Sequence, residues 1–297
     1  MIVKFIAIKI IQACEKYGNN KRGTACSFGD QRVVFSKDWL LKAVDSLRKG
    51  YALGRESDNG LPLMPIDDFF KALGFSDYFD IDYNGKARLC LDLGKPIPKE
   101  LYCKADILYD GGVIEHIPNI FQAMSNAMLL LKKDGILVQA VPVASFSGGT
   151  YYNIEPLLLR DLYGANGFEM VECLLFYSGQ NKMDKMQYFR SYFNICKNIL
   201  KSKIRPLVPK TILKRRKMEY ECKLEEYKKM RKYDDNLDNF SFINPFDPIE
   251  RFKMKSHGLP SNTHVIYIGI KRRDIDPENI AIPTQADYPS AIASGTK

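Results

Sequence analysis

The stretch that most constrains the fold is residues 105–143, ADILYDGGVIEHIPNIFQAMSNAMLLLKKDGILVQAVPV. An apolar strand is followed by Gly-Gly and Glu-His, then by a segment whose apolar residues recur at helical spacing, and then by a second apolar strand. A strand, a helix and a strand in this order predict a parallel βαβ unit. Polar groups and glycines stand where the first strand ends.

Other strands and helices alternate along the chain in the same way. We predict strands within GTACSF, DYFDIDYNG, ARLCLDLG, FEMVECLLFYS and THVIYIGIKRR, and helices within the first 18 residues, KDWLLKAVDSLRKG, IDDFFKALGF and EPLLLRDLYGANG. Ser36 is placed to cap the second of these helices. The pattern predicts an α/β fold, with a Rossmann-like, mostly parallel sheet and helices on both of its faces.

The lengths of the segments divide the chain into four parts. Residues 1–178 form the predicted Rossmann-like core, and residues 263–275 are a last strand that returns to it. Residues 179–262 are too long for a loop in a compact domain, so we interpret them as a basic, mainly helical insertion. Residues 276–297 are polar with three prolines, and we predict a disordered tail.

The net charge of +9 belongs almost entirely to the predicted insertion. Residues 197–232 contain fourteen Lys or Arg and four Glu, a local balance of 14 − 4 = +10. A solvated helical face is the commonest fate of such a run. A peripheral contact with anionic lipids is second, because apolar residues interleave with the basic ones. Nucleic acid is third, because no recognised binding motif accompanies the charge.

Cysteine usage and hydropathy indicate the compartment. The seven cysteines form no C-x-x-C pair, which is typical of reduced thiols in a cytosolic protein and not of a disulfide frame or a zinc site. The apolar start of the chain is interrupted by Lys4 and Lys9, which favours an amphipathic helix over a signal peptide. We expect a cytoplasmic protein, with 197–232 as the segment that would contact the inner membrane face.

Acids and glycines cluster at the predicted carboxyl ends of the strands, where open α/β sheets bind ligands. The first strand is followed by Gly29, Asp30 and Gln31; the second is predicted to end at Asp80, with Asp82 next; the third at Asp92; the fourth at Asp110, Gly111 and Gly112, before Glu115 and His116; and the fifth at Pro142. Glycine lets a backbone approach a ligand closely, and a carboxylate can accept from both hydroxyls of a ribose.

These residues resemble class I S-adenosylmethionine-dependent methyltransferases. The resemblance is strongest to the branch in which the fourth strand is followed by a Glu-His pair, here Glu115-His116. In that branch a helix, a segment similar to LLKxGG and a strand ending in proline come next. THVIYIGIKR is similar to the last strand of that family, which is usually antiparallel. Two departures stand out: a single glycine replaces the G-x-G loop after the first strand, and only a turn remains between the second and third strands.

The resemblance implies a role for each residue. The methionyl end of S-adenosyl-L-methionine would be contacted by Gly29, Asp30 and Gln31, and its sulfonium would lie beside Asp110, Gly111 and Gly112. The ribose would be bound by Asp80, and the adenine by Asp92 and the Leu93 backbone. The acceptor would be bound by Tyr151 and Tyr152. His116 or Glu115 would remove a proton from an acceptor hydroxyl. Members that bind a divalent metal carry a further Glu where Gly112 stands, so we predict no metal.

The resemblance leaves the acceptor and the activity open. A small molecule or a sugar, including a lipid-linked glycan of surface-polysaccharide biosynthesis, is the acceptor we expect, with methyl transfer to oxygen. A non-catalytic, methyltransferase-like binding or scaffold protein is the alternative, because the first glycine loop is degenerate. A nucleic-acid methyltransferase is a weaker alternative, because DGGV replaces the Pro-Pro-aromatic motif of base-modifying members. For Glu115-His116 the alternative role is to cap the helix that follows and to orient the loop. The sequence sets no oligomeric state.

Overall fold

The computed structural model describes residues 2–18, 22–49, 64–144, 149–178, 240–247 and 263–283. The chain divides into two compact units, of which the larger comprises Met1–Tyr51, Asp58–Tyr177 and Phe242–Lys297. The smaller unit, Ala52–Ser57 and Ser178–Ser241, lies almost wholly outside the described residues, and with it most of the predicted insertion and the whole basic run.

One sheet and five α-helices make up the described part of the larger unit. The helices are α1 (Lys4–Tyr17), α2 (Lys37–Arg48), α3 (Ile66–Ala72), α4 (Ile120–Leu130) and α5 (Pro156–Ala165). The strands are β1 (Thr24–Phe28), β2 (Asp77–Asp82), β3 (Leu89–Cys90), β4 (Ala105–Asp110), β5 (Leu131–Ala144), β6 (Phe168–Ser178), β7 (Phe240–Ile243) and β8 (Thr263–Lys271).

The sheet order β3-β2-β1-β4-β5-β8-β6-β7 confirms the predicted fold class. Strands β1 to β5 are parallel to one another, and β8 runs antiparallel between β5 and β6, as the resemblance implied. The order reverses between β1 and β4, so the carboxyl ends of these two strands flank the crevice where such sheets bind ligands.

Helices cover both faces of the sheet. Side chains of α4 and α5 pack with the face that carries Phe28, Ile81 and Leu137. The opposite face receives α1, α2 and α3, and the Phe70 ring of α3 stacks on the Tyr78 ring with 5.5 Å between the ring centroids. Because successive strand residues point to opposite faces, the side chains of Tyr78 and Ile81 lie on opposite faces of β2, one in each layer of the core.

Several predicted boundaries hold and others are wrong. Ser36 caps α2 by accepting from the Trp39 N–H at 3.2 Å, β6 spans the predicted residues, and only a turn separates β2 from β3. The helix predicted through Lys133 instead ends at Leu130, and β5 begins at the next residue. Lys271 explains this abrupt end, because its buried ammonium donates to the carbonyls of Met128 and Leu131.

Three strand ends also differ from the prediction. β2 continues past Asp80 to Asp82, since Asp82 still pairs with Cys90 of the short β3. β3 stops at Cys90, before Asp92, and β5 runs on to Ala144. A strand ends where its neighbour stops pairing with it, and a single strand's pattern does not contain that information.

The chain after β8 continues against α5 as far as the structure describes it. Asn166 donates to the Ala281 carbonyl at 2.8 Å and accepts from the Ala281 N–H at 2.9 Å, while Ile275 and Ile280 pack on the core. The predicted tail boundary at 276 therefore falls within a docked segment, and 284–297 lie outside the described residues. Among the described helices, none is both long and apolar enough to cross a membrane.

Asn126 of α4 ties the loop after β3 to the helix layer. Its side-chain amide is fully buried, donates to the carbonyls of Leu93 and Lys95 at 2.9 and 2.8 Å, and accepts from the Ile97 N–H at 3.3 Å. Three backbone groups of one loop therefore depend on a single side chain.

We expect Asn126→Ala to lower the free energy of unfolding by about 2–4 kcal/mol, because buried backbone groups lose their partners. Urea denaturation followed by circular dichroism measures it. Ser125→Ala, which removes a hydroxyl bonded only to the Phe121 carbonyl of the same helix, is the matched control. Equal effects of the two variants would contradict the role given to Asn126.

Candidate functional site

The carboxyl ends of β1, β2 and β4 bring most of the predicted residues to one edge of the sheet. Phe28 pairs with both Ile81 and Asp110, so the residues that follow these strands are neighbours. Gly29 has a φ of +71°, which favours glycine, and its N–H donates to the Ile81 carbonyl at 2.8 Å. The predicted convergence of Gly29 with the end of β4 is thus present in the structure.

Asp82, and not Asp80, lies beside the Gly29 turn. The Asp82 carboxylate accepts from the Asp30 N–H at 3.2 Å and from the Asn84 side chain at 2.9 Å, and it is half-buried. Asp80 lies inside β2, where its carboxylate accepts from the Arg88 N–H at 2.9 Å, toward β3. The prediction that the second strand presents Asp80 at its end is therefore wrong, and Asp82 has that place.

The Asp92 loop adjoins the same edge through the connection between β4 and α4. The exposed Asp92 carboxylate accepts from the Gly94 N–H at 2.9 Å, and Asn119 donates to the Gly94 carbonyl at 3.2 Å. Leu93 is buried, with its carbonyl turned to Asn126. The structure thus leaves the Asp92 carboxylate accessible but places the Leu93 carbonyl in the core.

Asp110 is fully buried and builds the turn after β4. One carboxylate oxygen accepts from the Val113 N–H at 3.0 Å and the other from the Gln139 side chain at 3.0 Å, across to β5. Gly112 takes a φ of +91° within this turn. Gln139 was missed by the sequence analysis, although a lone amide in the apolar run ILVQAVPV is the signal of a buried polar partner.

Glu115 is a second buried carboxyl group at this edge. Its Oε2 has no hydrogen-bond partner among the described residues, and its side chain lies against Gly112. Burial, with a further contribution from the Asp110 carboxylate, raises the pKa of Glu115 well above the ordinary range of a glutamate. Burial likewise raises the pKa of Asp110, and the hydrogen bonds it accepts oppose that rise. The edge thus holds two acids that resist ionising together.

His116 lies at the surface in front of Glu115. About half of its side chain is exposed, at 53%, and its Nε2 is 3.9 Å from Glu115 Oε1. The helix that follows is capped by Asn119, whose side chain accepts from the Gln122 N–H. The capping part of the alternative for Glu115 and His116 is therefore wrong, whereas its other part, a role in orienting the loop, stays a prediction.

Tyr151 and Tyr152 lie over the Glu-His loop. The N–H groups of both donate to the Glu115 carbonyl, at 3.0 and 3.3 Å, and Tyr152 Oη donates to the Pro118 carbonyl at 2.6 Å. The Tyr152 hydroxyl is therefore used by the protein itself, whereas the Tyr151 side chain is exposed. An acceptor role remains a prediction for both tyrosines.

The glycines of this edge face side chains of the protein. A Cβ on Gly29 would lie 2.6 Å from Val113 Cγ2, one on Gly111 would lie 2.3 Å from Gln31 Oε1, and one on Gly112 would lie 2.9 Å from Glu115 Oε1. Val113 carries no sequence signal of this contact. The space that these glycines leave open is thus filled at these points by Val113, Gln31 and Glu115.

No metal cluster is found within the described ranges, since no three His, Cys, Asp or Glu side chains there come together as a set of ligands. The two buried acids of this edge are used within the fold: Asp110 holds the turn after β4, and Glu115 lies against Gly112.

Comparison with known proteins returned structural likeness only. No family model matches the chain, and no curated protein matches it. Solved structures that resemble it include a candidate methyltransferase of Bacillus halodurans C-125, with 10% identity, coverage of 90% of this chain and 99% of that one, and a TM-score of 0.40.

Two further solved structures are similar at the same level. An S-adenosylmethionine-dependent methyltransferase of Archaeoglobus fulgidus has 12% identity, coverage of 91% and 95%, and a TM-score of 0.39. Phosphoethanolamine N-methyltransferase 2 of Haemonchus contortus, in complex with S-adenosyl-L-methionine, has 9% identity, coverage of 90% of this chain and 52% of that one, and a TM-score of 0.34. At these scores the likeness supports no conclusion about substrate or reaction.

The buried Glu115 predicts a specific pH dependence of stability. Its pKa in the folded chain is about 8, against an ordinary value of 4.5, so the folded chain holds this proton more tightly than the unfolded chain does. The free energy of unfolding therefore falls as the pH rises from about 4.5 to about 8.

We expect Glu115→Gln to remove much of that fall and to raise the free energy of unfolding at pH 8 by roughly 2–3 kcal/mol. Urea denaturation at pH 5, 6.5 and 8 measures the slope. Glu100→Gln, at an exposed position, is the control and should leave the slope unchanged. A parallel pH profile for Glu115→Gln and the unmodified chain would refute the assignment.

Proposed function

We propose that this chain is an S-adenosylmethionine-dependent methyltransferase that acts on a small-molecule or sugar acceptor, with transfer to oxygen. The observation that carries the proposal is the meeting of Gly29, Asp82 and the Gly111–Gly112 turn at adjacent strand ends. They meet at the reversal of strand order, in a sheet with an antiparallel β8. The resemblance implied the same meeting of strand ends with Asp80 in the place that Asp82 takes here.

The residues at this edge fit the nucleoside end of such a cofactor. Asp82 stands at the tip of β2, where a half-buried carboxylate suits the two hydroxyls of a ribose. Asp92 is exposed in the next loop, where it would accept from an exocyclic amine. When bound, the cofactor would supply an electrophilic methyl group.

The chain's own residues would bring an acceptor hydroxyl to that group and remove its proton. His116 is exposed at the mouth and is the candidate base, while the buried Glu115, 3.9 Å behind it, would orient the imidazole. The exposed Tyr151 ring belongs to the loop after β5, whose backbone donates to the Glu115 carbonyl, and it is the candidate acceptor contact. A link to surface-polysaccharide synthesis belongs to this proposal as the source of a glycan acceptor.

A specific observation favours a second function, that of a non-catalytic binding protein on the same fold. The glycines that would admit the amino-acid end of the cofactor face Val113, Gln31 and Glu115 instead. In this alternative the edge is a packed structural feature, and neither cofactor binding nor methyl transfer is expected.

The proposal also covers where in the cell the protein acts. We expect a cytoplasmic enzyme that meets anionic lipid through residues 197–232, which would bring it to a lipid-linked acceptor at the inner membrane face. That segment lies outside the described residues, so its sequence is the support for this part of the proposal.

Asp82→Asn should weaken binding of S-adenosylhomocysteine by about tenfold or more, because the amide loses the charged acceptors for the ribose. Isothermal titration measures the dissociation constant. Asp77→Asn, at the opposite end of β2, should bind as the unmodified chain does. A loss confined to Asp80→Asn would restore the original assignment to Asp80, and absence of binding in the unmodified chain would favour the non-catalytic alternative.

His116→Gln should lower methyl transfer by roughly 10²–10⁴, the usual contribution of a positioned base. The measurement is the transfer of labelled methyl from S-adenosyl-L-methionine to small-molecule and glycan fractions of a cell extract. Lys133→Gln, exposed at the opposite edge of the sheet, should retain full transfer. Unchanged transfer by His116→Gln would exclude His116 as the base.

A further inference from the structure

Gln31 occupies a defined position between the ends of β1 and β4. Only 6% of the residue is exposed, and its Nε2 donates to the Phe28 carbonyl at 2.8 Å, which folds the side chain back over the end of β1. The resemblance placed a second glycine of the first loop near this position. A buried five-carbon amide stands there in its place.

The Gln31 amide spans the space between two glycines. Its Nε2 lies 3.5 Å from the position of a Cβ on Gly29, and its Oε1 lies 2.3 Å from that of a Cβ on Gly111. Val113 closes the same space from the β4 side, with Cγ2 2.6 Å from the Gly29 position. A ligand that approached the backbone of either glycine would meet these two side chains first.

The contact between Gln31 and residue 111 requires a glycine at position 111. Its φ does not lie in the left-handed region, unlike that of Gly29 or Gly112, so backbone conformation does not require glycine there. Close approach does, because any Cβ would collide with Gln31 Oε1 and with Tyr109 Oη at 2.6 Å. Glycine at position 111 therefore leaves room for the side chains of Gln31 and the buried Tyr109.

We propose that Gln31 is a gate at the amino-acid end of the nucleoside cleft. The proposal rests on the proposed function, because it concerns the same cleft. The nucleoside end, at Asp82 and Asp92, remains accessible with the gate closed, whereas a tail that extends past Gly29 and Gly111 enters only after the Gln31 side chain has rotated away. Gln31 thereby sets the preference of the cleft between nucleosides with and without an amino-acid tail.

The gate has a limited strength. Opening it breaks, among the contacts of Gln31, the hydrogen bond to the Phe28 carbonyl, and one buried hydrogen bond of this kind shifts an equilibrium by a few-fold to about tenfold. A ligand that binds only the open form loses affinity in proportion to the fraction of open molecules. The expected penalty on a ligand with a tail is therefore about tenfold, and a ligand without one has none.

The test compares three ligands that share adenosine and differ only in the tail: adenosine, 5′-methylthioadenosine and S-adenosylhomocysteine. Isothermal titration with the full chain gives their dissociation constants. Gln31→Ala removes the amide and leaves Val113 in place, and Gln31→Gly does the same with added backbone freedom. Both should tighten S-adenosylhomocysteine by about tenfold and leave adenosine and 5′-methylthioadenosine within about twofold.

Arg32→Gly is the matched control, because it adds a glycine to the same loop at an exposed side chain and should change none of the three affinities. Circular dichroism confirms folding of each variant, and Gln31→Ala decides the test if Gln31→Gly is unfolded. Equal tightening of all three ligands, or no tightening of S-adenosylhomocysteine, overturns the gate while adenosine binding by the unmodified chain preserves the nucleoside cleft. Failure of every variant to bind any of the three overturns both the gate and the proposed function.

Discussion

The buried carboxylate of Asp110 is the interaction on which the candidate site depends. It joins two neighbouring strands through Gln139 and fixes the turn after β4 through the Val113 N–H. A buried charge is costly unless its oxygens are hydrogen-bonded, so this carboxylate holds its partners in one arrangement. That arrangement sends Val113 toward Gly29 and brings Glu115 back against Gly112. The resemblance placed Asp110 beside a ligand, whereas in the structure it is the group that shapes the edge.

Two kinds of acid share this edge, and they differ in what they can do. Asp30 and Asp92 are exposed, so their carboxylates face solvent, whereas the half-buried Asp82 carboxylate already accepts from Asp30 and Asn84. Asp110 and Glu115 are buried, and burial raises the pKa of both, with the Asp110 carboxylate adding to the rise at Glu115. The exposed set supports nucleoside binding, and the buried set holds the loop that carries His116 and the backbone on which Tyr151 and Tyr152 rest.

The sequence was sufficient for the parts of the molecule that repeat a simple pattern. Alternating strands and helices, the Ser36 cap and the antiparallel last strand follow from periodicity, capping chemistry and the resemblance. The placing of Asp82 in preference to Asp80 depends on its pairing with Cys90, and the end of α4 depends on Lys271 from a strand 140 residues further on. The approach of Gln31 to Gly111 depends on how two loops meet. Each of these is a contact between distant segments, which a linear pattern does not encode.

The balance between the enzyme and the non-catalytic alternative depends on how firmly the amino-acid end is closed. A hydrogen bond such as that from Gln31 to the Phe28 carbonyl contributes about 0.5–1.5 kcal/mol, and rotation of a valine side chain such as Val113 needs no change of backbone. A ligand bound at micromolar affinity gains about 8 kcal/mol. In free energy, the closure is therefore several-fold weaker than the binding that it opposes. It can reduce occupancy of the cleft but cannot abolish it. On this comparison of magnitudes, filled glycine positions are compatible with the proposed cofactor-dependent enzyme as well as with the non-catalytic alternative.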